Sequence, residues 1–436
     1  MIFQSDILGM NARNLKYIRP NNSRRSIRLA DNKVATKRLL KKTGIKTPRL
    51  YGLISDIQDF EKFTWDKLPK SFVLKPNFGF GGEGILILRS SLKKKEFIKT
   101  PLEERTWTRS DGSIINFEDL KSHVLDIIDG SYSMSGIPDT AVFERKIIRH
   151  VAFREMARKG VPDVRIIVYN NVPVMAMLRL PTERSKGKAN LFQGAVGAGV
   201  DIASGITTNA IIKVPRRRNI DKHPDTGKDL VGFQIPFWDE ILKISVECQI
   251  ASGLGFLGVD IAIDNKFGPE VLELNARPGL EIQIANLEGL ARRLERVDGL
   301  KINTVDKGVI VAKELFGGDI ARRVEEASGQ KVIGVIEKVK ILNKKGNRKL
   351  EVEAKIDTGA ESTSISCELT KKLGYGDLSG LISKLDDTIS ETEAIKMAKQ
   401  IRAREKKNYE YLLDMVFIRS SSGKSLRPCI QLTFYL

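Results

Sequence analysis

A chain of 436 residues with 41 % apolar content has room for roughly two to four globular domains, and no stretch approaches the ~18 uninterrupted apolar residues of a membrane span. Three widely spaced cysteines without a CxxC, and only three histidines, argue against a disulfide frame, a cysteine zinc site or a histidine-rich metal centre and fit a reducing cytoplasm. The net charge of +19 raises the question of nucleic acid. Its lysines and arginines are spread in short clusters (RRSIR, SLKKK, PRRR) with no nucleic-acid module, so a basic surface that partly serves anionic ligands is the simpler reading.

The opening MIFQSDILGMNARN has no basic-then-apolar export layout. Asp31 is placed to cap a helix, NKVATKRLLKKT, closed by Gly44. Lys33 stands in its first turn, where the helix dipole disfavours a cation, and is therefore a candidate ligand contact; a solvated lysine fits as well. SFVLKPNFGFGGEGILIL then reads strand, glycine-rich turn, strand. Lys75 lies in the apolar strand, and Gly79, Gly81, Gly82 and Gly84 follow. Glycines let backbone N–H groups come close to phosphates, and a buried lysine supplies the matching charge. The order differs from a Walker A loop, where the lysine follows the glycines, and from a dinucleotide fingerprint, where a helix follows. A hairpin with incidental glycines is the plain alternative.

FEDLKSHVLDIIDG predicts a helix, and TAVFERKII a strand ending in Glu144, Arg145, Lys146 and Ile147. VPDVRIIVYNNVPVMAMLRLP is a hairpin about NN, with Asp163 and Arg165 on one face and Arg179 near the end of the second strand. Lys188 and Asn190 enter a glycine-rich run. PFWDEILKISVECQIASGLG has the apolar spacing of a packed helix, with Cys248 in its core. GVDIAIDNKFGPEVLELNARPG then reads as two strands about NKFG. Folding at the middle of that turn sets Asp260 opposite Glu273, with Asn275 on the same face as Glu273; other registers are open to it. Two carboxylates and an amide oxygen form a hard-oxygen set suited to magnesium. Arg277 follows, and helical patterns run to Gly318.

Together these motifs resemble the ATP-grasp superfamily, and more closely its alpha-L-glutamate ligase-related, RimK-like branch, over residues 7–320. The resemblance implies an α+β fold: two α+β lobes holding ATP between antiparallel sheets, spanning 1–320. It implies ATP-dependent carboxylate–amine (or thiol) ligation through an acylphosphate, with a small-molecule amino acid or peptide as substrate. Carried over by position, Lys75 would hold the α/β phosphates under a flap of Gly79 to Gly84, with Lys33 beside it. Glu144, Arg145, Lys146 and Ile147 would form the adenine hinge. Asp163, Lys188 and Asn190 would contact nucleotide and phosphate. Asp260, Glu273 and Asn275 would bind Mg2+ (or Mn2+), two ions in all. Arg165, Arg179 and Arg277 would face the transferred phosphoryl and the substrate carboxylate. Only ~30 residues precede the first expected helix, too few for the α/β domain that often opens such enzymes, so the acceptor site must be built differently or supplied by a partner.

Residues 329–436 read as a second unit with a DTGA at Asp357 to Ala360. It resembles the mostly β, retropepsin-like domain labelled an ATP-dependent zinc protease, here looking incomplete. One DTG would need a homodimer for aspartic-protease chemistry, in which two aspartates share a proton. The competing function is therefore a protease-like or peptide-binding protein with a regulatory nucleotide site.

Overall fold

Apolar runs of period two account for most of the chain's sheets, and helical runs cover them. A computed structural model describes residues 6–79, 81–133, 136–317, 336–355, 363–386, 388–420 and 423–435. The chain divides into two units, Met1–Gln330 and Lys331–Leu436.

The first unit holds two antiparallel sheets. Strands β1 (Leu50–Ile54), β2 (Ser71–Pro76), β3 (Leu86–Arg89), β4 (Trp107–Thr108), β5 (Ile114–Ile115) and β6 (Ala141–Arg145) form a six-stranded sheet in the order β1-β6-β2-β3-β4-β5. Its core is aromatic: Phe72, Trp107 and Phe143 are buried with Leu120, Val124 and Ile127 of the helix Phe117–Ile128. That helix begins with a capping box in which the backbone N–H of Asn116 and of Asp119 each donates to the other's side-chain oxygen.

The larger sheet runs β11-β10-β9-β8-β7-β12-β13. It is built from β7 (Asp163–Tyr169), β8 (Val172–Leu180), β9 (Val196–Val200), β10 (Thr207–Ile212), β11 (Arg218–Asn219), β12 (Phe256–Asp264) and β13 (Gly268–Asn275). Asn170 and Asn171 take φ of 50° and 59°, the left-handed pair that closes a two-residue hairpin with the right twist. The helices Trp238–Ser252 and Val305–Phe316 share one core with β7, β8 and β12.

Two expectations about helices change. Asn32, not Asp31, caps the helix Lys33–Lys42: its side chain accepts the Ala35 N–H at 2.8 Å. Asp31 instead ends a preceding helix, Arg24–Asp31, and residues 10–21 are already helical. Only Ala30 of Arg24–Asp31 is buried, so its apolar periodicity is too thin to read. The run EIQIANLEGLARRLERV is two helices, Glu281–Asn286 and Leu290–Val297, because Leu287 takes a φ of 52° and Gly289 passes against Asp6.

In the second unit, β14 (Ile336–Leu342) pairs with β15 (Lys349–Lys355) and with β19 (Phe434–Tyr435). A second three-stranded sheet, β16-β18-β17 (Ser383–Leu385, Gly423–Ile430, Leu412–Ser420), packs on the helix Glu391–Glu405. Asp357, the candidate protease-like residue, lies outside the described residues. Among the described residues no helix is long and apolar enough to cross a membrane.

Candidate active site

A cleft of about 2010 Å³ opens between the two sheets of the first unit, above the ~1,000 Å³ at the upper end for one small ligand. Of the candidate ligand, metal and catalytic residues between positions 1 and 320, all but Gly84 line it.

On the small-sheet wall, Lys75 Nζ lies 2.7 Å from Glu144 Oε1 and Lys37 Nζ lies 2.9 Å from Glu144 Oε2. All three are buried. β2 and β6 are neighbours, which sets Lys75 and Glu144 across one ladder. Burial alone would raise the Glu144 pKa; Lys75 and Lys37 override it and hold the carboxylate below its ordinary value.

The glycine loop is tied on every side. Lys33 Nζ donates to Asn77 O at 3.0 Å and Gly79 O at 2.9 Å. Lys188 Nζ, from beyond the large sheet, donates to Gly82 O at 2.9 Å, and Gln193 Nε2 to Gly81 O at 3.2 Å; Asn190 Nδ2 stands 3.5 Å from the same Gly81 oxygen. His123 Nε2 meets Gly84 O at 2.9 Å and is itself 3.2 Å from the Tyr132 hydroxyl. Gly84 has a φ of +68°, and a Cβ there would fall 2.6 Å from the Tyr132 ring. Glycine is therefore required by both backbone and space. Asp139 accepts the Phe78 N–H at 2.8 Å from the loop's other end.

The large-sheet wall carries a row of charge across four adjacent strands. Register sets Arg179 opposite Asp163, Arg165 opposite Asp260, and Asp260 opposite Glu273. Arg165 holds Asp260 with both nitrogens, at 2.7 and 2.5 Å. Arg179 holds Asp163 at 2.5 and 2.8 Å and reaches Asp260 at 2.8 Å. Asn275 Nδ2 donates to Asp260 at 3.2 Å. Burial acts to raise both aspartates. In Asp260 the two guanidiniums win and its pKa is depressed. In Asp163 burial prevails over Arg179, with the Asp260 charge adding to it, and the carboxyl is pushed up to about 6.

Glu273 is different. Its side chain is 39 % exposed to the cleft and its nearest guanidinium nitrogen is 4.0 Å away. The enclosing walls and then the Asp260 charge push its pKa up, with Lys33 only partly offsetting them. It is a carboxylate short of counter-charge. No group of three or more His, Cys, Asp or Glu is gathered for a metal among the described residues. What stands here is two carboxylates and an amide, of which Asp260 is already saturated by donors.

Two of the expected site residues have side-chain partners of their own. Arg277 does not join this row: it pairs with Asp31 at 2.8 Å on the rim, both side chains about half exposed. Arg145 turns away from the cleft floor, to Asp264 at 2.7 Å and to Glu270, with its guanidinium over Phe267. Its side chain thus fastens the end of β6 to the β12–β13 turn, while Lys146 and Ile147 continue along the cleft. Sequence reasoning passed over Lys37, whose signal was its place one helical turn after Lys33. It also passed over Asp139, His123, Tyr132 and Gln193, which reach the loop only through tertiary folding.

The solved structures similar to this chain include D-alanine–D-alanine ligase from Bacillus anthracis complexed with ATP, at 16 % identity over 69 % of this chain and 70 % of that one, TM-score 0.33. The ATP-grasp ligase PsnB with its minimal precursor matches at 14 % identity over 64 % and 62 %, TM-score 0.33. A biotin carboxylase–ATP complex from Campylobacter jejuni matches at 12 % over 65 % and 49 %, TM-score 0.35. The chain thus spans less than two thirds of the length of the last two. No curated protein matches it. The family model for sugar-transfer associated ATP-grasp proteins matches residues 12–299, a branch other than the one the motifs suggested. With about two thirds of its length matched, the chain belongs to the sugar-transfer associated ATP-grasp family.

Proposed function

We propose that the protein is an ATP- and magnesium-dependent ligase that joins a carboxylate to an amine through an acylphosphate. The observation that carries this reading is one cleft whose two walls hold complementary charge: the Lys75–Glu144–Lys37 set beneath a glycine flap on one side, and the arginine–aspartate row ending in an under-compensated Glu273 on the other. Phosphoryl transfer asks for in-line placement and neutralised charge, not a protein nucleophile.

Lys75 and Lys188 meet the nucleotide phosphates, the backbone of Lys146 and Ile147 meets the adenine edge, and the flap excludes water. Glu273 and the Asn275 amide oxygen would hold magnesium, beside an Asp260 carboxylate that Arg165 and Arg179 fix in place. Two such ions would supply charge neutralisation and orientation of the transferred phosphoryl. Arg165 and Arg179 keep Asp163 and Asp260 rigid and present guanidinium edges to the reacting carboxylate. The carboxylate oxygen attacks the γ-phosphorus and ADP leaves; the amine nitrogen then attacks the acyl carbon, phosphate leaves and the nitrogen loses a proton. The family's description, sugar-transfer associated, favours a carboxylate on a sugar-bearing acceptor. The motif resemblance to the alpha-L-glutamate branch supports glutamate or another amino acid as the amine. This chemistry belongs in the cytoplasm, where ATP is held.

A screen of amino acids against sugar acids, reading acceptor-dependent ADP release and product mass, tests the proposal. Lys75→Ala and Glu273→Ala abolish that release on this reading. Wild-type turnover in both variants would remove the site assignment.

A further inference from the structure

The cleft carries more positive charge than its nucleotide needs. Among its lining residues cations outnumber carboxylates about two to one. ATP brings about four negative charges and two magnesium ions cancel about as many, so the nucleotide–metal complex leaves the excess unspent. That excess is not spread evenly. The end with Asp31, Arg277 and Glu281 is mixed in sign, and its charges pair: Arg277 with Asp31, and Lys213 with Glu281 at 3.1 Å. The mouth beyond the hinge is almost wholly basic.

That mouth is built by the segment between β6 and β7. Phe153 and Met156 of this segment belong to the large core, and Ala157 is buried. Arg149 staples it from within, donating to Ala157 O at 2.5 Å and Gly160 O at 3.4 Å. Gly160 sits so close to the Gly187 carbonyl that a Cβ would fall 2.1 Å from it, which seats the segment against the loop that carries Lys188. Anchored this way, the segment leaves Arg154, Arg158 and Lys159 lining the cleft. Arg158 has only a loose 3.7 Å pairing with exposed Glu183; among the described residues Arg154 and Lys159 have no carboxylate partner. Arg89, on β3, faces the same mouth from the other lobe. Burial and then Arg89 lower the Lys146 pKa, and burial and then Arg154 lower that of Arg149. Arg89 and Lys146, and Arg154 and Arg149, thus stand close enough to repel one another.

We infer that the mouth formed by Arg154, Arg158, Lys159 and Arg89 is a subsite for a polyanionic second substrate, one bearing several phosphate or carboxylate groups. Arginine edges suit both, since each oxyanion accepts two parallel N–H bonds. The inference rests on the ligase reading and narrows its acceptor to a multiply charged, phosphorylated or polyuronate-like molecule.

The full-length protein is saturated with a non-hydrolysable ATP analogue and magnesium, then titrated with inorganic tripolyphosphate and, separately, with a trigalacturonate. Uptake of either is expected, weakening as salt rises, and the probe that binds tells phosphate from carboxylate. Arg154→Ala/Lys159→Ala is expected to weaken that uptake about tenfold or more while nucleotide affinity stays within about twofold. The unchanged nucleotide affinity shows that the variant is folded. Absence of binding by both probes, or wild-type affinity in the double variant, would overturn the subsite. If the wild type takes up no nucleotide, the ligase reading falls separately. The same titration without nucleotide then decides the subsite by whether uptake is lost in the double variant.

Discussion

The two walls of the cleft solve the problem of buried charge in opposite ways. On the six-stranded sheet two lysines share one glutamate, so the group carries an unmatched positive charge. On the seven-stranded sheet two arginines face two aspartates and then Glu273, so the row ends with an unmatched negative charge. Charge on each wall is incomplete alone, and the two deficits have opposite sign. A polyphosphate belongs against the first wall and a divalent cation against the second. The anchoring differs too: lysines are point charges on flexible stems that can turn to a ligand, whereas the arginine forks lock their aspartates in plane.

The sharpest way to break this contrast is at its negative end. Glu273→Gln keeps the shape and removes the charge, and ADP release should fall by about a thousandfold or more, measured in steady state with saturating ATP. Retained activity would place the metal elsewhere. Next comes the positive wall. Lys37→Met leaves Glu144 with a single partner and should cost about 3–5 kcal/mol in denaturant unfolding, much of it recovered in Lys37→Met/Glu144→Gln. A neutral effect of the single change would mean that Lys37 is not part of the buried set.

The flap joins the walls, and at Gly84 a left-handed backbone and a close aromatic ring coincide. Gly84→Ala forces a left-handed alanine against the Tyr132 ring, a strain of about 1–3 kcal/mol, and should raise the KM for ATP with a smaller change in kcat. Tyr132→Ala in the same chain should relieve the clash but not the backbone strain. The smallest effect is electrostatic. Asp163 is raised to about 6 when folded, so its stabilising contribution is complete below its unfolded value and is lost as pH rises through about 6. Asp163→Asn should remove that decline between about pH 4 and 6. An identical pH profile in the variant would show that Arg179 keeps Asp163 ionised throughout.

Most of the strand framework was legible because its signals are local. The Asn-Asn turn needs left-handed residues, and the NKFG turn marks the next hairpin, although it is a one-residue register shift between Asp260 and Ile261, not the turn, that brings Asp260 opposite Glu273. Lys75 and Glu144 could each be picked out as a charged residue in an apolar strand, but not as partners, since nearly seventy positions part them. The partner of Arg277 was hidden for the same reason: its place two residues after Asn275 suggests the site, and the chain, bending at Ala276 and Arg277, sets it against Asp31 at the rim of the cleft. The early helices were hidden by polarity, as Arg24–Asp31 buries little beyond Ala30.

By itself the sequence determined which chemical groups exist and which strand faces they share, because side-chain alternation and turn preference act over a few residues. It could not determine which charges neutralise one another. Lys33, read as a ligand contact, and Lys188, read as a phosphate contact, are held by flap carbonyls, and Asp260, read as a metal ligand, is held by two arginines. Coulomb energy and desolvation depend on distances set by the packing of whole sheets, so only the tertiary structure decided that Glu273 is the acid left uncompensated and that the basic excess gathers at one mouth of the cleft.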